Sequence, residues 1–203
     1  MNNIIRFSEY KRGNMIMQDI EKNVMLSIEE KVNNLLSDAD FTHSPYVDIV
    51  SIVKKDGFKV EPTEMDIDTT GCLLVNSDET NQTRLIMVNT DFKNPDNESD
   101  VVFKKSRFIT AHEYGHFILH HEAGKPIYAH RDTYHRTEPI ELEADYFARS
   151  ILMPLEQFKL YYEILKDISK NDEKFIIGIL SKIFKVTKNK VEKRMGDLLV
   201  LNQ

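Results

Sequence analysis

The chain has 203 residues, 41% apolar and 30% charged, with 11 Phe and 8 Tyr. That is enough apolar content to fill a core, and it excludes wholesale disorder. With 33 acidic and 27 basic residues the net charge is −6, which excludes a uniformly cationic nucleic-acid coat, and the single cysteine, Cys72, excludes an internal disulfide and a thiolate zinc cluster.

Residues 1–20 are polar and mixed and read as a flexible lead. They lack the apolar core and small-residue cleavage site of a signal peptide, and no stretch of the chain approaches the roughly 18 apolar residues of a membrane span. A cytoplasmic protein is expected, in keeping with the cysteine usage. From Val24 to Leu36, the positions Val24, Leu26, Ile28, Val32, Leu35 and Leu36 recur mostly at helical spacing, and Ser44-Pro45 ends the segment. Asp48 to Val53 reads as a short helix or turn, Asp56-Gly57 as a turn, and Gly57 to Val60 as the start of a strand. Gly71–Asn76 (GCLLVN) and Thr83–Asn89 (TRLIMVN) read as two strands joined by the polar turn 77–82. Residues 94–100 are a loop.

Arg107 to His121 is a long helix, 122–137 a loop, and Glu138 to Met153 a second helix stopped by Pro154. Residues 155–203 read as helical throughout. There is no internal repeat or low-complexity tract. The fold class expected is α+β: a short antiparallel or mixed sheet packed on the 107–121 helix, an N-terminal helix, and a helical tail. The chain divides into the lead 1–20, a body 21–154 and a C-terminal region 155–203.

Residues 112–116 read His-Glu-Tyr-Gly-His, the HExxH pattern. Four helical residues turn 400°, so both imidazoles leave one face about one turn apart and can reach one zinc ion. Phe108, Ile109, His116 and Leu119 all fall within about 60° of His112, so the pair lies on an apolar stripe. Two histidines aimed into a core are costly unless they are paired or metal-bound. Glu113 sits beside the first ligand, placed to take a proton from a zinc-bound water whose pKa the metal lowers towards about 7, and then to protonate the leaving amine.

The third ligand must be a carboxylate. The extended metzincin motif would need Gly at 119 and His at 122, where this chain has Leu119 and Glu122. Glu138, Glu141, Glu143 and Asp145 on the second helix are the candidates. The stripe Ile140, Ala144, Phe147, Ala148, Ile151 has Glu141 on one flank and Glu143 on the other at similar angles, so periodicity leaves the choice open. Tyr128, His130, Tyr134 and His135, in the loop between the two helices, are candidate oxyanion donors. His120 reads as packing near the site, and His121 and His43 carry no signal. The strands near 72–75 and 84–88 are the natural source of a free sheet edge on which an extended substrate would add a strand.

The segment RFITAHEYGHFILHH followed by ELEADYFARSILMP resembles the ImmA/IrrE family of metallopeptidases. The resemblance implies a zinc endopeptidase with His112, His116 and Glu143 as metal ligands and Glu113 as the proton-transfer group. It also implies a cytosolic regulator as substrate, such as a helix-turn-helix repressor of a mobile element, prophage or stress operon.

The tail supports a competing function. LSKIFKVTKNKVEKRMGDL looks like a helix-turn-helix, with a turn at Val186-Thr187 and a basic helix capped by Thr187. Between Lys174 and Arg194 there are seven Lys/Arg and one acid, a net of +6, which leaves the rest of the chain at −12. This split fits a DNA-facing surface over 174–199, and a non-proteolytic regulator that binds DNA or a repressor. Oligomeric state is not legible in the sequence.

Overall fold

A computed structural model describes residues 20–39, 45–66, 68–78, 81–89, 99–122, 127–132 and 138–202, with backbone alone for 77, 78, 81, 82, 99 and 127–132. Residues 1–19, the expected lead, lie outside the described residues.

Helix α1 runs Lys22–Asp38. It buries Met25, Ile28, Val32 and Leu36, spaced three and four apart, while Leu26, expected on the buried stripe, is 48% exposed. Helix α2, Ile49–Lys55, starts at Asp48, whose carboxylate accepts the Ser51 N–H at 3.2 Å. Gly57, at φ +81°, turns the chain into strand β1, Lys59–Thr63. Strands β2, Thr69–Asp78, and β3, Asn81–Asn89, form the expected hairpin. The long helix α3, Ser99–His120, begins two turns before the expected Arg107.

Strand β4, Ile127–Asp132, lies inside what reads as a loop in the sequence. Helix α4, Pro139–Leu152, opens with a proline at its first turn, where the missing N–H costs nothing. Three helices follow: α5, Leu155–Ser169; α6, Glu173–Ile183; and α7, Lys188–Leu201.

The sheet order is β1-β3-β2-β4, with β1 parallel to β3 and the other pairs antiparallel. Leu73, Val75, Ile86 and Val88 point to the core, alternating with half-buried Cys72, Leu74, Leu85 and Met87. The topology corrects one expectation. Segments 72–75 and 84–88 belong to the two internal strands, β2 and β3, so neither offers a free edge. Among the described residues the edges are β1 and β4.

The tail shares the core of the body. Phe158, Leu180, Phe184 and Val191 are fully buried in the same apolar cluster as Val32 of α1 and Phe147 of α4. Arg107 of α3 donates from Nη1 to the carbonyls of Phe184 (2.9 Å) and Lys185 (2.5 Å), and from Nη2 to that of Val47 (2.6 Å). Arg194 of α7 is fully buried. Its Nη1 and Nη2 reach the two Glu29 oxygens at 2.7 and 3.1 Å, and Tyr146 and Ser150 of α4 donate to the same carboxylate. Beside it, Arg149 of α4 pairs with Asp197 of α7 at 2.8 Å. Thr187 occupies the N-cap position of α7, but its side chain makes no capping bond. The turn is held instead by Ser181 Oγ donating to the Val186 carbonyl at 2.6 Å. Arg194 therefore belongs to the interior and not to a nucleic-acid surface, and only part of the basic run of the tail faces outwards.

Candidate metal centre

The centre is built where α3 and α4 cross. From Arg107 to His116 helix α3 is buried on every side, not along one stripe, and Leu119, expected on that stripe, is only half-buried. His112 is 0% and His116 3% exposed. The glycine between the two histidines sets the approach of α4. A Cβ on Gly115 would stand 2.9 Å from Phe147 Cδ1 and 3.3 Å from the Ala144 carbonyl oxygen, so only glycine lets α4 lie this close.

That contact fixes which carboxylate arrives. Glu141 Oε1 lies 3.0 Å from His116 Nε2, and Glu141 Oε2 lies 3.1 Å from His112 Nε2. The two Nε2 atoms are 3.1 Å apart. Among the described residues, His112, His116 and Glu141 form the group whose donor atoms converge within 4.8 Å of one another. Glu143, assigned to the metal by the family resemblance, does not join them. It lies 200° around α4 from Glu141, and its carboxylate is 3.9 Å from His120 Nε2, beyond hydrogen-bond distance. Glu141 stands one turn before Ala144 and Asp145 on the face packed against α3. Glu143 is turned towards the C-terminal end of α3.

The donors fit a divalent metal. An ion held at 2.0–2.1 Å in tetrahedral geometry spaces its ligand atoms about 3.3 Å apart, close to the separations seen here. His112 Nδ1 lies 3.0 Å from Asp145 Oδ1, close enough for the carboxylate charge to act on the ring but outside hydrogen-bond geometry. Burial opposes charge on Glu141, but hydrogen bonds and charge from His112 and His116 hold its carboxyl below the usual range. His120, one turn beyond, makes a backbone hydrogen bond with Ile140; burial and the neighbouring His116 push its imidazole down to about 4, so it is neutral at pH 7.

Glu113 is fully buried beneath β2. A Cβ on Gly71 would stand 2.5 Å from Ile109 Cγ2 and 2.8 Å from Glu113 Oε1, so the strand glycine is what lets the sheet lie on this part of α3. The pairing of β2 with β4 is irregular between Thr69 and Gly71, next to that contact. Burial and the Glu113 carboxylate push the neighbouring Cys72 thiol up.

Of the four oxyanion candidates, Tyr128 and His130 lie on strand β4, where they pair with Leu74 and Cys72, and not in a loop. Tyr134 and His135 lie outside the described residues. The role of Asp145 was missed in the sequence. The available signal was its spacing, four residues after Glu141, which mirrors His112 and His116 on the facing helix.

An HExxH helix under a small mixed sheet, crossed by a helix that brings a carboxylate to the two histidines, defines a metallopeptidase-type site. Residues 54–195 match the IrrE N-terminal-like domain family (Peptidase_M78), and the chain belongs to it. The resemblance to ImmA/IrrE metallopeptidases read from the two motif helices is thereby borne out. No curated protein matches the chain. Among the described residues, no helix is long and apolar enough to cross a membrane.

Proposed function

We propose that the protein is a zinc endopeptidase that cuts a cytosolic regulator, with a helix-turn-helix repressor as the substrate class. The observation that carries this reading is the convergence of His112, His116 and Glu141, with the fully buried Glu113 next to His112 in the sequence. A zinc ion there, when bound, supplies a Lewis acid that polarises the scissile carbonyl and acidifies a water. His112 and His116 would hold it through Nε2 and Glu141 through its carboxylate, with the Asp145 carboxylate 3.0 Å from His112 Nδ1 behind them. Glu113, the carboxylate next to His112, takes the proton of the attacking water and returns it to the leaving amine. Strand β4, paired with the strand that lies over Glu113, provides an outer edge for an extended segment of substrate.

The test is Glu113→Gln in the full chain. This variant keeps its zinc and its grip on the repressor, and loses cleavage by at least 100-fold, the scale of a missing general base. Cleavage of the repressor at the wild-type rate by the variant would sink the peptidase reading.

A further inference from the structure

The C-terminal helix reaches the metal centre. Lys190 of α7 places Nζ 3.5 Å from Asp145 Oδ2, the oxygen not facing His112. The same ammonium stands 3.5 Å above the centre of the Phe108 ring, one turn before His112 on α3. Lys190 and Asp145 side chains are only 16% and 19% exposed. The three groups form a line: Lys190 on α7, Asp145 on α4, His112 on α3.

We infer that Lys190 is a positioning residue of the metal centre, acting through Asp145 on His112, so that the C-terminal helix is part of the site. The reasoning is electrostatic and geometric. Asp145 Oδ1 stands 3.0 Å from the His112 ring only while its carboxylate keeps one orientation, and outer partners of a metal-ligating histidine set metal affinity by 10–100-fold. A carboxylate near the surface has several rotamers open to it. Lys190 fixes it by ion pairing with the far oxygen, and the Phe108 face fixes Lys190 in turn. Arg149, one turn along α4, feels the Asp145 charge but spends its hydrogen bonds on Asp197, so Lys190 is the cation in direct contact with Asp145.

This inference rests on the reading that His112, His116 and Glu141 hold the metal, and the experiment separates the two. Zinc affinity is measured by chelator competition on the full-length wild type and on His116→Ala, Lys190→Met, Lys190→Arg, Asp145→Asn and the Lys190→Met/Asp145→Asn double variant. The melting temperature of each metal-free protein is recorded alongside. Lys190→Met keeps the stem over Phe108 and removes the charge. It is expected to weaken zinc binding about 10-fold with little change in metal-free melting temperature, and Lys190→Arg is expected to restore most of the loss. In the Asp145→Asn background, Lys190→Met should cost nothing further, because the lysine acts through that carboxylate. Zinc binding at wild-type strength by Lys190→Met or by Asp145→Asn, with His116→Ala defective, would overturn this inference and leave the metal reading standing. Wild-type zinc binding by His116→Ala would overturn both.

Discussion

Glu29 on α1 and Arg194 on α7, 165 positions apart, meet at 2.7 Å with the guanidinium wholly out of water. Tyr146 and Ser150 donate to the same carboxylate, and the Met153 carbonyl accepts from Arg194 Nε at 3.1 Å, so both charges are hydrogen-bonded as well as paired. Such a pair adds little over an apolar replacement of the same shape, yet losing one member strands the other charge in the core. Glu29→Gln or Arg194→Met is expected to cost about 3–5 kcal/mol in urea unfolding. The double variant Glu29→Leu/Arg194→Met should recover much of that loss.

The same pair has a pH signature. Burial raises the Glu29 carboxyl, but the charge and hydrogen bonds of Arg194 outweigh it and leave the group below its ordinary 4.5. The unfolded chain therefore takes up the proton first. The stabilisation is fully present above the unfolded value and is lost as pH falls through the folded one. Urea midpoints of wild type and Glu29→Gln, far apart at pH 7, should converge as pH is lowered towards 3.

Glu141 and Glu143 separate cleanly by substitution. Glu141→Gln removes a charged donor from the convergent group and is expected to weaken zinc binding by more than 10-fold. Glu143→Gln touches a carboxylate 3.9 Å from His120 and should leave zinc affinity within about twofold. Calorimetric titration of both variants checks this, and the reverse ranking would restore the ligand set implied by the family resemblance.

Gly115→Ala pushes a methyl against Phe147 and the Ala144 carbonyl. It is expected to cost about 1–3 kcal/mol through overpacking and to weaken zinc binding, because α4 carries both Glu141 and Asp145. Phe147→Leu added to Gly115→Ala should return part of the zinc affinity. A single variant that binds zinc normally would show that the helix spacing is not what sets the site.

Metal removal should be visible in stability. A ligand that binds the folded state alone stabilises by about 2.7 kcal/mol at 100 times its dissociation constant. Stripping zinc with a chelator should thus lower the melting temperature, re-addition should restore it, and His116→Ala should be insensitive to both. A wild-type melting curve unmoved by chelation would argue against a filled site.

The HEYGH pair was legible because four helical residues dictate their own geometry, whatever surrounds them. The choice between Glu141 and Glu143 was not, because it depends on how α4 is rotated against α3, and that is decided by Gly115 meeting Phe147. Strand β4 escaped notice because IYAHRD has little β-branched content and owes its shape to β2, more than fifty positions earlier. Arg194 looked like one more base in a basic helix. Nothing local marks Glu29 as its partner, so its burial is a property of the assembled core.

The Lys190 and Arg194 contacts bear on the order in which the protein is made. The HEYGH helix leaves the ribosome well before α7, and domains generally fold as units as synthesis proceeds. A nascent chain carrying both histidines and Glu141 still lacks Lys190, which pairs with Asp145, and Arg194, which pairs with Glu29. The contacts that α7 makes with α1 and α4 can therefore form only once α7 has been made, and a translation product cut before Lys190 lacks them.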